Sequence, residues 1–322
     1  MEIRPRTTGE ILDDAWRLYR ADAPVLLALS SLLAVPAAVC VLLLLTQPAG
    51  AWPWLLPAIA AAALLATGLG SGACQEAYRL RAEGKNVALG AALAPALRRG
   101  LDYTAGRGVV WGLTCLAAPF LVVPAWAVGS SIAHGPLTEE SSGAAFLAYA
   151  LVSMVTGIAV PGIAALAGGL ALHPILADGA LRGIAGWREA VRQTQRQAAK
   201  AAAVAFTRPV LAAVVAVNLH VLVRVGLWIA DDLAGFDVAL AGVVLTAQNP
   251  AYVAVMILLS WLLLWPYFEA TSYLLHVDDR ARHEGLDLWY RVQRWFPAGA
   301  KQLAGVSGKV GSGASTRWRA WR

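Results

Sequence analysis

The sequence predicts an all-α integral membrane protein with six transmembrane helices, and three observations carry this prediction. Of the 322 residues, 58% are hydrophobic and only 14% are charged, whereas a soluble globular protein has about 25% charged residues. Six apolar runs each supply the roughly 20 residues with which a helix crosses about 30 Å of hydrocarbon. Basic residues accumulate in alternate loops. The predicted spans are residues 24–46, 52–73, 108–129, 145–172, 209–230 and 251–275.

The first apolar run is predicted to be a retained span rather than a cleaved signal sequence. It follows the charged segment 1–23, and it is longer than the 7–15 residues of a signal-peptide core. No isolated small-residue cleavage site separates it from the second run. The shorter apolar segment 234–250 is too short to cross, so it is predicted to be an interfacial or re-entrant piece at the outer face.

The loop charges orient the six spans. Lys and Arg precede span one, lie between spans two and three and between spans four and five, and follow span six, whereas the loops 47–51, 130–144 and 231–250 contain neither. Because short cytoplasmic loops carry an excess of Lys and Arg, both termini are predicted to be cytoplasmic. Anionic lipid headgroups account for the net charge of +6 without a nucleic-acid partner.

Two similar hexapeptides suggest an internal repeat. RLRAEG at 79–84 and RARHEG at 280–285 leave spans two and six, and each predicts a basic helix end with a glycine C-cap, Gly84 or Gly285. Amphipathic segments precede spans one, three and five. The chain is therefore predicted to form a membrane domain, residues 1–296, of three like-oriented hairpin units, each preceded by a cytoplasmic amphipathic helix. The approximate units are residues 7–84, 85–183 and 184–296.

The first amphipathic helix has the clearest start signal. Thr7 with Glu10 three residues later predicts a capping box. The apolar face that follows consists of Ile11, Leu12, Ala15, Leu18 and Tyr19. Two interpretations of the amphipathic helices stand open: they lie in the membrane interface, or they form a docking platform for a cytoplasmic partner. The interfacial interpretation uses as anchors Trp16, Trp187, Trp289 and Trp295.

The remaining segments carry little chemistry. The basic tail, residues 297–322, is rich in Gly, Ser and Ala and is predicted to be disordered. Cys40, Cys74 and Cys115 have no paired spacing, so neither a metal site nor a disulfide is expected, and no cofactor is expected either. GLGSG at 68–72 lies inside span two, where small residues are expected to permit close helix packing.

Three segments together resemble a known family. They are RPRTTGEILDDAWRLYR at 4–20, GWREAVRQTQRQ at 186–197 and YLLHVDDRARHEGLDL at 273–288. They resemble the bacterial multi-pass proteins grouped with the membrane domain of glycerophosphoryl diester phosphodiesterases and, more distantly, the YciC-like inner-membrane proteins. The resemblance extends to about Arg294 and implies a six-helix inner-membrane bundle. The phosphodiesterase barrel to which that domain is sometimes fused has no counterpart here, so the resemblance implies no activity.

Polar residues inside predicted spans are the candidate site residues, because burying them in a membrane is costly. Asn218, His220 and Arg224 share one face of span five. They either line a cavity for an anionic substrate or lipid headgroup, or Arg224 reaches the outer interface to meet Asp231 or Asp232. His173, Arg208 and Glu269 lie near the inner surface, each close to a proline. They either converge in one site or form structural pairs.

The sequence predicts no enzyme, since the longest loop, about 35 residues, is too short for a catalytic domain and no catalytic motif occurs. The favoured function is a structural or assembly component of the bacterial cell envelope that organises partners and lipids. The alternative is a transporter or lipid-handling protein with a polar site between the hairpins. The expected partners are membrane lipids, through their anionic headgroups at the cytoplasmic face, and envelope proteins.

Overall fold

The chain is all-helical wherever the structure, a computed structural model, describes it: residues 5–31, 52–117, 162–179, 181–233, 244–245 and 250–283. None of these residues forms a β-strand. We number the helices α1 (Thr8–Ala21), α2 (residues 23–31), α3 (Trp52–Ala82), α4 (Leu89–Arg98), α5 (Gly100–Ala117), α6 (Leu172–Asp178), α7 (Gly183–Arg196), α8 (Ala198–Trp228) and α9 (Pro250–His283). Two π-helical turns, Ala165–Gly169 and Ile229–Leu233, precede α6 and follow α8.

One helical stretch within the described ranges, Ala198–Asp232, is long and apolar enough by length and composition to cross a membrane. Large apolar side chains are exposed along it, as hydrocarbon would allow: Val210, Val214, Val217, Val221, Leu222, Val225 and Trp228. Predicted spans two and six lie within α3 and α9, whereas spans one, three and four are only partly described. The full count of six crossings stays a prediction.

Helix α1 begins at the predicted capping box. The Thr7 hydroxyl accepts from the Glu10 amide at 3.3 Å, and the Glu10 carboxylate accepts from the Thr7 amide at 2.8 Å. The apolar face of α1 is covered by α9, since Ile11 and Ala15 are both fully buried in the core and Tyr19 donates to the Leu263 carbonyl. This face is therefore not available to lipid.

The other two amphipathic helices also turn their small residues into the core. Ala92 and Ala96 of α4 are fully buried, as is Ala190 of α7. Trp187 is half-buried and donates its indole N–H to the Ala167 carbonyl at 3.0 Å, whereas Trp16 is 45% exposed. Trp187 therefore serves as a packing residue; Trp289 and Trp295 lie outside the described residues.

The three amphipathic helices α1, α4 and α7 are each joined to the next helix by a single residue, and the three joints have similar backbone geometry. The three joint residues are Asp22 (φ −125°, ψ 24°), Arg99 (φ −104°, ψ 12°) and Gln197 (φ −122°, ψ 35°). Each joint side chain binds the end of another helix, as in the contact of Asp22 with Arg81 at 3.5 Å. One local design thus occurs three times in the described part of the chain.

Two helix exits also share one geometry. Gly84, after α3, has φ +73°, so the predicted glycine C-cap is confirmed. Gly179, after α6, has φ +72° and ends its helix in the same left-handed conformation, although no hexapeptide marks that exit in the sequence. Gly285, the second of the two predicted caps, lies outside the described residues.

The glycines of GLGSG bring α3 against α5. A Cβ atom on Gly68 would lie 2.9 Å from the Thr104 Cα, and one on Gly72 would lie 2.6 Å from the Tyr103 ring. Real Cβ contacts are not that short, so only glycine permits this approach of the two helices. Close packing, the role expected from the sequence, is confirmed.

Candidate functional site

A buried carboxylate, Glu269 of α9, forms the centre of the candidate site. Its side chain is held from α3, where the Ser71 hydroxyl and the Gln75 amide each donate to it at 2.7 Å. Gln75 also donates to the Glu269 backbone carbonyl at 3.0 Å. Because Ser71 and Gln75 are four residues apart, they lie on one face of their helix. Neutral donors therefore hold both carboxylate oxygens.

Three basic side chains surround Glu269 from three other helices. His173 of α6, Arg208 of α8 and Arg107 of α5 all lie within electrostatic range of the carboxylate, but none comes within ion-pair distance of it among the described contacts. The three residues arrive on separate helices, so no spacing in the sequence brings them together. The cluster thus brings one carboxylate and three basic side chains close together, and within the described residues none of the three forms a direct ion pair with the carboxylate.

The two arginines are engaged differently. Arg208 donates to the Phe268 carbonyl and to the hydroxyls of Thr271 and Ser272, at 3.1 and 2.7 Å, so one of its nitrogens is committed to α9. Arg107 lies over the ring of Trp265, with 5.7 Å between the guanidinium carbon and the ring centroid. That contact is a cation–π interaction, which leaves the guanidinium N–H groups of Arg107 without a hydrogen-bond acceptor among the described residues.

Several polar atoms of the cluster are buried without a hydrogen-bond partner in the described part of the chain. They are His173 Nε2, Arg107 Nε, Arg208 Nε, Trp265 Nε1 and Gln75 Oε1. Buried polar groups in proteins are nearly always hydrogen-bonded, so such a concentration calls for an explanation. The arginine and tryptophan atoms can only donate. The cluster therefore offers more donors than it can satisfy internally.

A broken helix delivers His173 to this cluster. The π-helical turn Ala165–Gly169 contains Gly168 at φ +87°, and α6 restarts at Leu172. A side chain at Gly168 would meet the Val191 amide of α7 at 3.1 Å. Interrupted helices are the places where membrane transporters build their polar sites, because the break frees backbone and redirects side chains.

The structure brings together one of the two predicted sets. His173, Arg208 and Glu269 share the cluster, but Glu269 accepts from Ser71 and Gln75 instead of pairing directly with His173 or Arg208. Arg107 was missed, because a single arginine at the start of a predicted span resembles a charge of the preceding loop. The four-residue spacing of Ser71 and Gln75, which places both polar side chains on one face of α3, was the sequence signal for a contribution of this helix to the site.

The predicted set on span five lies elsewhere. Asn218 is exposed and donates to the Val214 carbonyl, and His220 is 2.9 Å from the Tyr252 hydroxyl. Arg224 is exposed and makes no ion pair with Asp231 or Asp232 within the described residues. Arg224 is 16 residues beyond Arg208 on one continuous helix, a distance of about 24 Å at 1.5 Å per residue. The two sets therefore form separate regions.

The arginines of the two hexapeptides meet at the end of α6. Arg79 donates to the Ala177 carbonyl at 3.3 Å, and Arg280 binds the Asp178 carboxylate at 3.0 Å. Arg99 donates to the same Ala177 carbonyl at 2.7 Å. Cations stabilise a helix C-terminus, where carbonyl groups lack partners. Arginines from the two similar hexapeptides thus bind, and stabilise, the same C-terminal end of α6.

Asp178 and His276 extend this charge network. His276 Nε2 lies 2.8 Å from the Asp178 carboxylate, and its Nδ1 lies 2.9 Å from the Gln193 amide oxygen. Burial alone would raise the pKa of Asp178, but His276, Arg280 and Arg79 together lower this pKa below its ordinary value. Ionised Asp178 is therefore part of the folded state.

The neighbouring aspartates of α9 bind the N-terminal segment and α7. Asp278 accepts from the Arg6 amide and from Lys200, both at 2.6 Å, while Lys200 and Arg282 donate to the Arg6 carbonyl at 2.6 and 2.9 Å. Asp279 accepts from Gln197 at 3.1 Å. Burial raises the pKa of Asp279, although Gln197 and the nearby cations oppose that rise. The HVDDR segment is thus a structural anchor.

Comparison of the chain with protein-family models, with curated proteins and with solved structures finds no match. The resemblance to the membrane domain of glycerophosphoryl diester phosphodiesterases therefore stays a prediction.

Proposed function

We propose that this protein is a multi-pass membrane protein that transports or handles a polar substrate at the cluster around Glu269. The observation that carries the proposal is the group of buried polar atoms without partners, above all His173 Nε2, whose side chain is only 1% exposed. Unpaired polar and charged groups are costly in a protein interior within a membrane, so they persist where a function uses them.

Burial of the amphipathic helices argues against the assembly interpretation. That interpretation relies on amphipathic helices with apolar faces free for a partner. Ile11 and Ala15 of α1, Ala92 of α4 and Ala190 of α7 are all fully buried in the core. The helix faces that carry these residues are therefore occupied by the rest of the protein, which favours the transport or lipid-handling interpretation.

The proposal includes the predicted topology of six spans with both termini cytoplasmic. The three joints of equal geometry and the two left-handed glycine exits support three units of one design. Under this division, the first unit supplies Ser71 and Gln75, the second Arg107 and His173, and the third Arg208 and Glu269. The site then lies where all three units meet, as the alternative from the sequence requires.

Cysteine labelling tests the site. In a chain with all three native cysteines replaced by serine, Ser71→Cys places a thiol beside Glu269. A small charged thiol reagent is applied to membrane vesicles of both orientations. We expect labelling from at least one side, because a transport site must open to water. Leu222→Cys, on the exposed apolar face of α8, should stay unlabelled, and Arg17→Cys, which replaces a side chain 80% exposed, should react.

Two results would count against the proposal. If Ser71→Cys is unreactive from both sides while Arg17→Cys reacts, the site is closed and an assembly role becomes the better explanation. If a cysteine at Arg81 is labelled from outside intact cells, the topology is wrong, because Arg81 belongs to a predicted cytoplasmic exit.

A further inference from the structure

We propose that the substrate carries an acidic group, a phosphate or a carboxylate, and that Arg107 and Arg208 bind it. This inference rests on the proposed function, because it names the class of ligand for the same site. The established contacts of the cluster supply two independent arguments for it, one from charge and one from hydrogen bonding.

The charges of the cluster do not balance. Arginine stays protonated in proteins, so Arg107 and Arg208 contribute two positive charges, against one negative charge on Glu269. Among the described residues, no other acid acts electrostatically on Arg107. A buried charge without a counter-charge is strongly unfavourable. One further anion would balance the cluster.

The hydrogen-bond donors of the cluster also fit an anion. Three buried N–H groups, on Arg107, Arg208 and Trp265, have no acceptor among the described residues. Acidic oxygens accept several such bonds at once, and charge-assisted bonds of this kind are about twice as strong as neutral ones. A cationic ligand would be repelled by the two guanidinium groups, and both oxygens of Glu269 already accept bonds from Ser71 and Gln75. The site therefore fits an acceptor and disfavours a cation.

The acidic group has two possible sources, a free anion from water and the headgroup of an anionic lipid. The full chain is purified in a maltoside detergent, which contains no phosphate. Its thermal unfolding is followed by tryptophan fluorescence with inorganic phosphate against chloride at equal ionic strength. In a second arm the micelles contain phosphatidylglycerol or, as control, phosphatidylcholine. A ligand that binds the folded state raises Tm. Stabilisation by phosphate indicates a free anion, and stabilisation by phosphatidylglycerol alone indicates a lipid.

Three variants assign the effect to the site. Arg107→Gln should weaken the apparent affinity by about tenfold or more, the usual loss for one charge-assisted bond, and Arg188→Gln, an exposed arginine of α7, should leave it unchanged. Without ligand, Arg107→Gln should be as stable as the wild type, since it removes an uncompensated charge. A purely structural arginine would instead lower Tm. Glu269→Gln should tighten anion binding, because it removes the competing negative charge.

The outcomes separate this inference from the proposed function. If neither phosphate nor phosphatidylglycerol raises Tm, or if Arg107→Gln binds as tightly as the wild type, the inference is wrong. A loss of binding in Glu269→Gln would also overturn it and would indicate a cationic ligand. If Ser71→Cys is labelled but no anion raises Tm, the proposed transport site remains supported and its substrate belongs to another chemical class. No labelling at Ser71→Cys would remove the proposed function itself.

Discussion

Asp278→Asn tests the anchor that holds the N-terminal segment. In the wild type the Asp278 carboxylate accepts from the Arg6 amide at 2.6 Å and from Lys200 at 2.6 Å. Asparagine keeps one acceptor oxygen but loses the charge, so the bond from Arg6 becomes a neutral one. A hydrogen bond to a charged group contributes about 1.5–3 kcal/mol and a neutral one about 1 kcal/mol. The contact of Asp278 with Arg282, which is 39% exposed, adds little.

Because the bond from Lys200 is weakened as well, the expected loss is about 1–2 kcal/mol, which corresponds to a roughly 5- to 30-fold larger population of the open segment. Limited trypsin digestion measures that population directly, because cleavage follows the open fraction when opening is fast. The bond after Arg6 is a trypsin site, whereas the bond after Arg4 precedes Pro5 and resists trypsin. The product that begins at Thr7, measured by mass spectrometry, should form about 5- to 30-fold faster in the variant.

Asp13→Asn is the matched control. It makes the same chemical change on the exposed side of α1, close to the cleaved bond, and should not alter the rate. Equal rates for Asp278→Asn and the wild type would show that Asp278 does not hold the segment. Equal acceleration by both variants would show that net charge, and not the anchor, controls cleavage.

Three further predictions concern stability, each measured as Tm of the purified chain. Because the pKa of Asp178 is lowered in the folded state, its stabilisation is complete above the ordinary aspartate pKa of about 3.9 and is lost as the pH falls through the lowered value. Asp178→Asn should therefore lower Tm at neutral pH, and the difference should shrink on acidification; a constant difference would contradict the linkage. Gly72→Ala should cost about 1–3 kcal/mol, because its Cβ would meet the Tyr103 ring, whereas Gly108→Ala, with open space around it, should be neutral or stabilising; equal effects would refute the close approach of α3 and α5. Trp187→Phe should cost about 1 kcal/mol through the bond to the Ala167 carbonyl, more than Trp16→Phe at its exposed position, and an equal cost at the two positions would argue against that bond.

Local signals in the sequence predicted local structure well. The capping box of Thr7 and Glu10 and the C-cap at Gly84 depend on residues a few positions apart, and both are confirmed. The close approach at Gly68 and Gly72 was also predicted, because a small side chain limits packing in the same way on any helix. These features need no knowledge of which helices are neighbours.

The composition of the site was predicted only in part. Depth in the predicted spans placed His173, Arg208 and Glu269 at one level, and the structure gathers them. Depth does not give the rotation of a helix or the neighbour that it faces. The spacing of Ser71 and Gln75 marks a polar face of α3, but it does not show that this face meets Glu269, and nothing in the sequence marks Arg107 as a member of the site. The same limit explains why the amphipathic faces were assigned to lipid or a partner: amphipathicity shows that a face is buried but not what buries it.

The meeting of three arginines at the end of α6 has a consequence for biogenesis. Arg79 binds Ala177, 98 positions later, and Arg280 binds Asp178, 102 positions earlier. During synthesis from the N-terminus, Arg79 must therefore have another partner until α6 emerges from the ribosome. Glu76 and Glu83, which pair with Arg79 at 2.9 and 3.8 Å on the same helix, provide that holding partner. Arg280 is synthesised last of the three arginines, so this end of the molecule is complete only after α9 has been made.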